Sequence, residues 1–227
     1  MKHFVNFLLF LALFAGCHGE ETSVLDSGAA YFPLQTGVYQ VYTVHEVRYQ
    51  DSAEPEVLNY ELMTEVVDSF PSGDSHTFVL HRSRRFAEAD PWEVLDTWSV
   101  RREGNKLVVS EGNVPIVKLL FPVRAGTQWN GNTYNSMGED IFAYEDIGRR
   151  MEFNGMTFEN TMTVEQEFNE DLIVHYDARK EVYAHGAGLV YKEVTQLNYC
   201  TEDHCLGQQE IENGTELKME IREYGEY

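Results

Sequence analysis

The chain has 227 residues, 43% of them hydrophobic and 13% aromatic, with 38 Asp and Glu against 17 Lys and Arg for a net charge of −21. This balance excludes electrostatic recognition of phosphate backbones and anionic head groups, so nucleic acid is not an expected partner. The acids are scattered rather than gathered in a tail, and the apolar content excludes a disordered chain.

The first element in chain order is an apolar run from Phe4 to Phe14, interrupted only by Asn6, with Lys2 before it and Ala15, Gly16 and Cys17 after it. A basic start, a short apolar core and small residues before a cleavage point form an export signal, so residues 1–16 are expected to be absent from the mature protein. Their removal takes away Lys2 and no acid, which makes the chain one unit more negative. The run is too short to cross a membrane, which takes about 20 apolar residues, and no second candidate follows. Phe14-Ala15-Gly16-Cys17 resembles the bacterial lipobox, in which the cysteine thiol is acylated and becomes the new N-terminus. The resemblance implies a lipidated Cys17, a tether over residues 17–30 and a membrane partner reached through the lipid; two or more acyl chains anchor stably where one binds marginally. By the same analogy, His18 rather than Asp after the cysteine disfavours retention in the inner membrane. The expected location is therefore the outer membrane, on its periplasmic or its outer face.

From residue 31 to 227 the sequence reads as one β domain. Apolar side chains alternate with polar ones at Tyr39, Val41, Val47 and Tyr49, a face that also carries His45 as a hydrogen-bonded core residue. The same period recurs at Leu58, Tyr60, Leu62 and Val66; at Trp92, Val94, Trp98 and Val100; at Phe158, Met162, Val164 and Phe168; and at Leu217, Met219 and Ile221. Period two means half-buried strands, and no window keeps a helical stripe, so helices should be few and short. Turns are expected at Pro71–Asp74, Glu103–Asn105, Glu111–Asn113, Asn130–Asn132, Asn154–Gly155, Asp177–Lys180 and Asn213–Gly214, with a bulge or bend at Gly186–Gly188. Tight turns between neighbouring strands make an antiparallel meander, which forms a barrel, a half-barrel or a strongly curled sheet, or folds into a sandwich. Closure removes exposed edges and favours the curled forms. The charged outward positions argue against a barrel embedded in the outer membrane.

Cys200 and Cys205 sit five apart in a chain bound for an oxidising compartment and are expected to form a local disulfide. The alternative makes Cys200, His204 and Cys205 zinc ligands, but the paired spacing and second ligand pair of such sites are missing.

Several stretches resemble an uncharacterised family of lipid-anchored envelope proteins of Gram-negative bacteria: Tyr31-Phe-Pro-Leu34 with Gly37, Tyr39 and Tyr42; Phe121-Pro-Val123 with Gly126 and Trp129-Asn-Gly-Asn132; and Glu181-Val-Tyr-Ala184 with Gly186, Gly188 and Leu189-Val-Tyr-Lys-Glu193. The resemblance implies envelope location and β architecture and supplies no catalytic residue.

The search for chemistry yields no catalytic residue, no cofactor motif and no metal site. There is no nucleophile elbow, and His76 and His81, five apart on a strand, point to opposite faces. Two readings remain: a non-enzymatic binding or structural protein that holds an apolar ligand or an envelope partner, or a glycan hydrolase using a carboxylate pair among the many acids. A cavity without converging carboxylates would favour the first, and a cleft with two facing acids the second.

Overall fold

The computed structural model describes residues 28–73 and 75–227, without the side chains of Phe168 and Glu170. The export signal, Cys17 and nearly all of the tether lie outside the described residues. After a 3-10 turn at Ala29–Tyr31 come twelve strands: β1 Val38–Tyr49, β2 Glu56–Ser72, β3 Ser75–Arg85, β4 Glu93–Glu103, β5 Lys106–Glu111, β6 Val114–Leu120, β7 Gln128–Asn130, β8 Ile141–Phe153, β9 Met156–Asp171, β10 His175–Ala184, β11 Gly188–Tyr199 and β12 Ile211–Glu226. They form one antiparallel sheet in the order β6-β5-β4-β3-β2-β1-β12-β11-β10-β9-β8-β7. The meander thus runs in sequence order round most of a circle, with β1 paired along its full length to residues 214–226 of β12.

Only β6 and β7 meet without a ladder, and side chains bridge them. Trp129 Nε1 donates to the Val117 carbonyl at 2.7 Å, and the Val117 amide donates to Gly131 O at 2.8 Å. Tyr144 Oη contacts both the amide and the carbonyl of Leu120 at 2.7 Å, and Asn135 Nδ2 donates to Pro115 O. The sheet is therefore a nearly closed barrel in which the two free edges satisfy each other's backbone groups, as exposed edges require. Among the described residues the 3-10 turn is the only helical element, and no helix is long and apolar enough to cross a membrane.

The alternation of Leu217, Met219 and Ile221 holds: Met219 and Ile221 are buried, Leu217 packs against the core, and Lys218 is exposed. Leu62, Val66, Phe158, Met162 and Val164 are buried as expected. Local expectations fail in β1, in β4 and at two of the turns. In β1 Val41 is buried as expected, but a register shift against β12 follows it, and from there Tyr42 and Val44, opposite Leu62, Ile221 and Met219, take the buried positions while Val47 and Tyr49 are half-buried. Thr43 and His45 then point outward, His45 bonding Asn59 at the surface, and Glu46 takes a buried position instead. In β4 a register shift at Leu95 reverses parity, and Val94 is 65% exposed while Val100 is wholly buried. A bulge of this kind adds one residue and turns every later side chain to the other face.

Asp177–Lys180 and Asn213–Gly214 lie inside β10 and β12 rather than in turns. In the first, Asp177 is held within the ladder by Arg179 Nε and Gln196 Nε2. The reversal falls instead on the apolar residues 172–174. Gly214, with φ 150°, packs so closely on β11 that a Cβ would run into the Gln196 carbonyl, so here glycine serves close approach rather than reversal. Gly186 lies in the β10–β11 turn itself, where its amide donates to Ala30 O at 2.8 Å and ties down the segment that enters the barrel.

Candidate functional site

An eight-stranded barrel is about wide enough for side chains to fill, so a circuit of twelve strands leaves interior space unless it flattens. This one keeps a cavity of about 140 Å³. Its apolar wall comes from alternate residues of six strands, among them Leu62, Val66, Leu80, Val109, Leu217 and Met219. Phe32 and Pro33, from the segment before β1, and Leu189, from the start of β11, close one side.

Charged residues are set among these apolar ones: Lys192 is the cross-strand partner of Met219, and Glu111 lies two residues beyond Val109 on β5. Glu181 of β10 and Lys192 of β11 are direct cross-strand partners, with Nζ 3.1 Å from Oε1. Lys118 interrupts the apolar run of β6. The pairing passes from Leu107↔Leu119 to Val108↔Val117, so Lys118 is the extra residue of a bulge and is aimed inward by it. Its Nζ lies 2.7 Å from Glu181 Oε1 and 2.9 Å from Glu111 Oε1, and the Tyr183 hydroxyl donates to Glu181 Oε2 at 2.6 Å. The Lys118 side chain is 7% exposed and that of Glu181 2%. On the neighbouring wall Arg82 stacks 4.0 Å over the Trp98 ring and donates to Asp96 Oδ2 at 2.9 Å. Arg82, Thr64 and Gln40 are successive cross-strand partners of β3, β2 and β1, and Thr64 Oγ1 donates to Gln40 Oε1. Glu46 is turned away to Arg48 Nε at 2.6 Å and to the Tyr60 hydroxyl at 2.9 Å.

Burial alone would raise the Glu181 pKa, but Lys118, Lys192 and the Tyr183 hydroxyl overcome it and hold the carboxyl well below the usual range. Glu111 is likewise lowered: burial acts upward, and Lys118 and Lys192 outweigh it. Burial would lower Lys118, yet the two carboxylates push it up. Tyr60 is pushed up to about 12, first by burial and then by Glu46.

These shifts decide what the arrangement can do. Two carboxylates do converge, which is the geometry the hydrolase reading asks for. An ammonium, however, sits between them where a substrate oxygen would have to lie, and neither acid keeps a proton near neutrality. A general acid for glycoside cleavage needs a raised pKa. The group is built to hold charge fixed, not to move protons.

The other expected site residues lie elsewhere. Cys17 falls outside the described residues. Cys200 and Cys205 are joined by a disulfide in the loop between β11 and β12, with Cα atoms 5.8 Å apart. Their sulfurs, bonded to each other, offer no thiolate to a metal, although His204 completes a cluster within 4.8 Å. None of the three lines the cavity. Sequence reasoning missed Glu111, Lys118 and Arg82 as site residues, and it carried Glu181 and Lys192 only within motifs of the resemblance. The signal for Lys118 was its position as the one charge in Val114-Pro-Ile-Val-Lys-Leu-Leu120.

Site and fold together define an all-β barrel with a small, ion-walled interior. No family model and no curated protein matches the chain. Two solved structures are similar to it: a presumed exported protein with a YmcC-like fold from Bacteroides fragilis, at 13% identity and TM-score 0.45, and a presumed lipoprotein from Parabacteroides distasonis, at 9% and 0.43. Each match covers 86% of this chain and 98% of the other.

Proposed function

We propose that this is a non-enzymatic binding protein, held to the outer membrane by a lipid on Cys17, whose barrel interior takes a small apolar ligand. The observation that carries the reading is the 140 Å³ cavity with its wall of aliphatic side chains. A wholly apolar cavity of about 150 Å³ accommodates benzene, so by volume the ligand or its buried part is of that size, and a full acyl chain is too large. The fixed charges of Glu111, Lys118 and Glu181 speak for recognition rather than hydrolysis. The membrane part of the reading rests on the lipobox resemblance at Phe14–Cys17.

The test uses the full chain with Cys17→Ala, which removes the lipid acceptor, and fluorobenzene followed by its fluorine resonance. Saturable binding is expected, and Leu217→Trp, which places an indole in the cavity wall, should abolish it with the circular dichroism unchanged. Absence of binding, or equal binding by Leu217→Trp, rejects the cavity as a ligand site.

A further inference from the structure

We propose that the interior site selects a small amphiphilic anion, with a carboxylate or phosphate head against Lys192 and Arg82 and a tail of about six carbons on the aliphatic wall, a tail matched in size to benzene. The inference rests on the reading that the cavity binds a ligand, and adds the chemistry of its head group.

The first ground is charge. Three cations, Arg82, Lys118 and Lys192, line the cavity against two carboxylates, Glu111 and Glu181. The excess is positive inside a molecule whose net charge is −21. Asp96, which pairs with Arg82, is not among the lining residues, and its side chain is 40% exposed.

The second ground is the hydrogen-bond count. An ammonium carries three N–H donors and a guanidinium five. Lys118 donates to Glu181 and forms an ion pair with Glu111, whereas among the described residues Lys192 pairs with Glu181 alone and Arg82 donates to Asp96 while stacking on Trp98. Glu181 already accepts from Lys118, Lys192 and Tyr183. The hydroxyls of Tyr42 and Tyr60 are also committed, to Leu189 O and to Glu46. Lys192 and Arg82 keep N–H groups beyond these contacts, while on the acceptor side Glu111 Oε1, buried within ion-pair distance of Lys118, makes no hydrogen bond. A ligand rich in acceptors satisfies the donors of Lys192 and Arg82, and the positive excess of the lining disfavours an ammonium.

The two grounds place the head beside Lys192 because that ammonium keeps most of its donors, and beside Arg82 because stacking on Trp98 holds the guanidinium flat. Lys118, tied to two carboxylates, fixes the wall and does not take part in the contact.

The experiment measures hexanoate, hexyl phosphate, hexanol and hexylamine by calorimetry on the full chain with Cys17→Ala, beside fluorobenzene. Charge-assisted hydrogen bonds predict that hexanoate or hexyl phosphate binds at least about tenfold more tightly than hexanol, and that hexylamine binds weakest. The tighter of the two anions identifies the head. Lys192→Met should erase the preference and leave fluorobenzene binding in place, which also shows the variant folded; Lys192→Arg should restore it. Equal binding of hexanol and hexanoate, tighter binding of hexylamine, or a preference that survives Lys192→Met overturns the inference while fluorobenzene binding stands. Loss of all five ligands in the unsubstituted cavity instead removes the reading on which it rests.

Discussion

Lys118→Met is the sharpest perturbation of the interior. The ammonium it removes lies 2.7 Å from one buried carboxylate and 2.9 Å from another. Deleting one partner of a buried ion pair costs about 3–5 kcal/mol, because the charge left behind keeps its desolvation and loses its counter-ion. Lys192, still 3.1 Å from Glu181 Oε1, offsets part of the loss, so the lower end applies. A cost of about 3 kcal/mol in a domain of some 200 residues lowers Tm by about 6–12 °C. The pH dependence gives a second reading. In the wild type, lowered Glu181 and Glu111 contribute stability that is present above the ordinary carboxyl value of 4.5 and lost as pH falls through their folded values. Raised Lys118 contributes stability present below its ordinary 10.5 and lost as pH rises through its folded value. This group is therefore silent between the two. In Lys118→Met burial becomes the stronger influence on the carboxyls, their folded values move above 4.5, and stability falls as pH rises from 5 to 7. Urea denaturation followed by tryptophan fluorescence at pH 5 and pH 7 should show a defect larger at pH 7, and adding Glu181→Leu should recover at least half of it. A defect below about 1 kcal/mol, or one equal at both pH values, refutes the reasoning.

Four further outcomes are expected. Trp129→Phe removes the Nε1 bond to Val117 O at the β6–β7 seam and should cost about 1–2 kcal/mol, with faster hydrogen exchange at the Val117 amide; unchanged exchange there counts against side-chain closure of the barrel. Leu119→Ala, at a fully buried position, should cost about 2–5 kcal/mol, whereas Val94→Ala should stay within about 0.5 kcal/mol; comparable losses in urea melts would contradict the bulge at Leu95. Cys200→Ser should lose about 2 kcal/mol, the chain entropy of so short a loop, and intact mass should rise by about two hydrogens when the wild type is reduced. Cys17→Ala should move the protein from the membrane fraction to the soluble periplasm, and unaltered fractionation would reject the anchor.

The sequence disclosed the fold where one rule acted alone. Leu217, Met219 and Ile221 alternate without interruption, and Asn154–Gly155 offers the positive backbone angles that a two-residue turn requires, so both were placed correctly. It failed where two rules competed. In β1 alternation places Val41 inside, but the register shift after it hands the buried positions to Tyr42 and Val44, opposite Leu62, Ile221 and Met219, partners distant in sequence. At Val94 the local pattern is regular and the bulge that breaks it lies one residue away, visible only through the register against β3. The β9–β10 reversal falls on Leu172-Ile-Val174, residues with strand propensity and no turn signal, which sent the expected turn to Asp177–Lys180. The site was hidden for the same reason. Glu181 and Lys192 are eleven positions apart and become a pair only through the hairpin, while Glu111 and Lys118 join them across the barrel interior.

Stability does not explain this ionic wall. Replacing a buried ion pair by apolar residues of similar volume is often neutral or stabilising, by about 1–4 kcal/mol. Here the charges also need a bulge in β6, which interrupts its ladder with β5 beside the seam where β6 and β7 form no ladder. Local consistency is broken twice, by a lysine inside an apolar strand and by an extra residue in a short one, at a point that faces the cavity. Proteins tend to break such rules at sites kept for function, with the rest of the fold supplying the stability. Proton transfer is closed to Glu111 and Glu181 for as long as Lys118 lies between them. The wall's remaining capacity is to present fixed charge and the N–H donors of Lys192 and Arg82 to the cavity, which is what the proposed binding of a ligand would draw on.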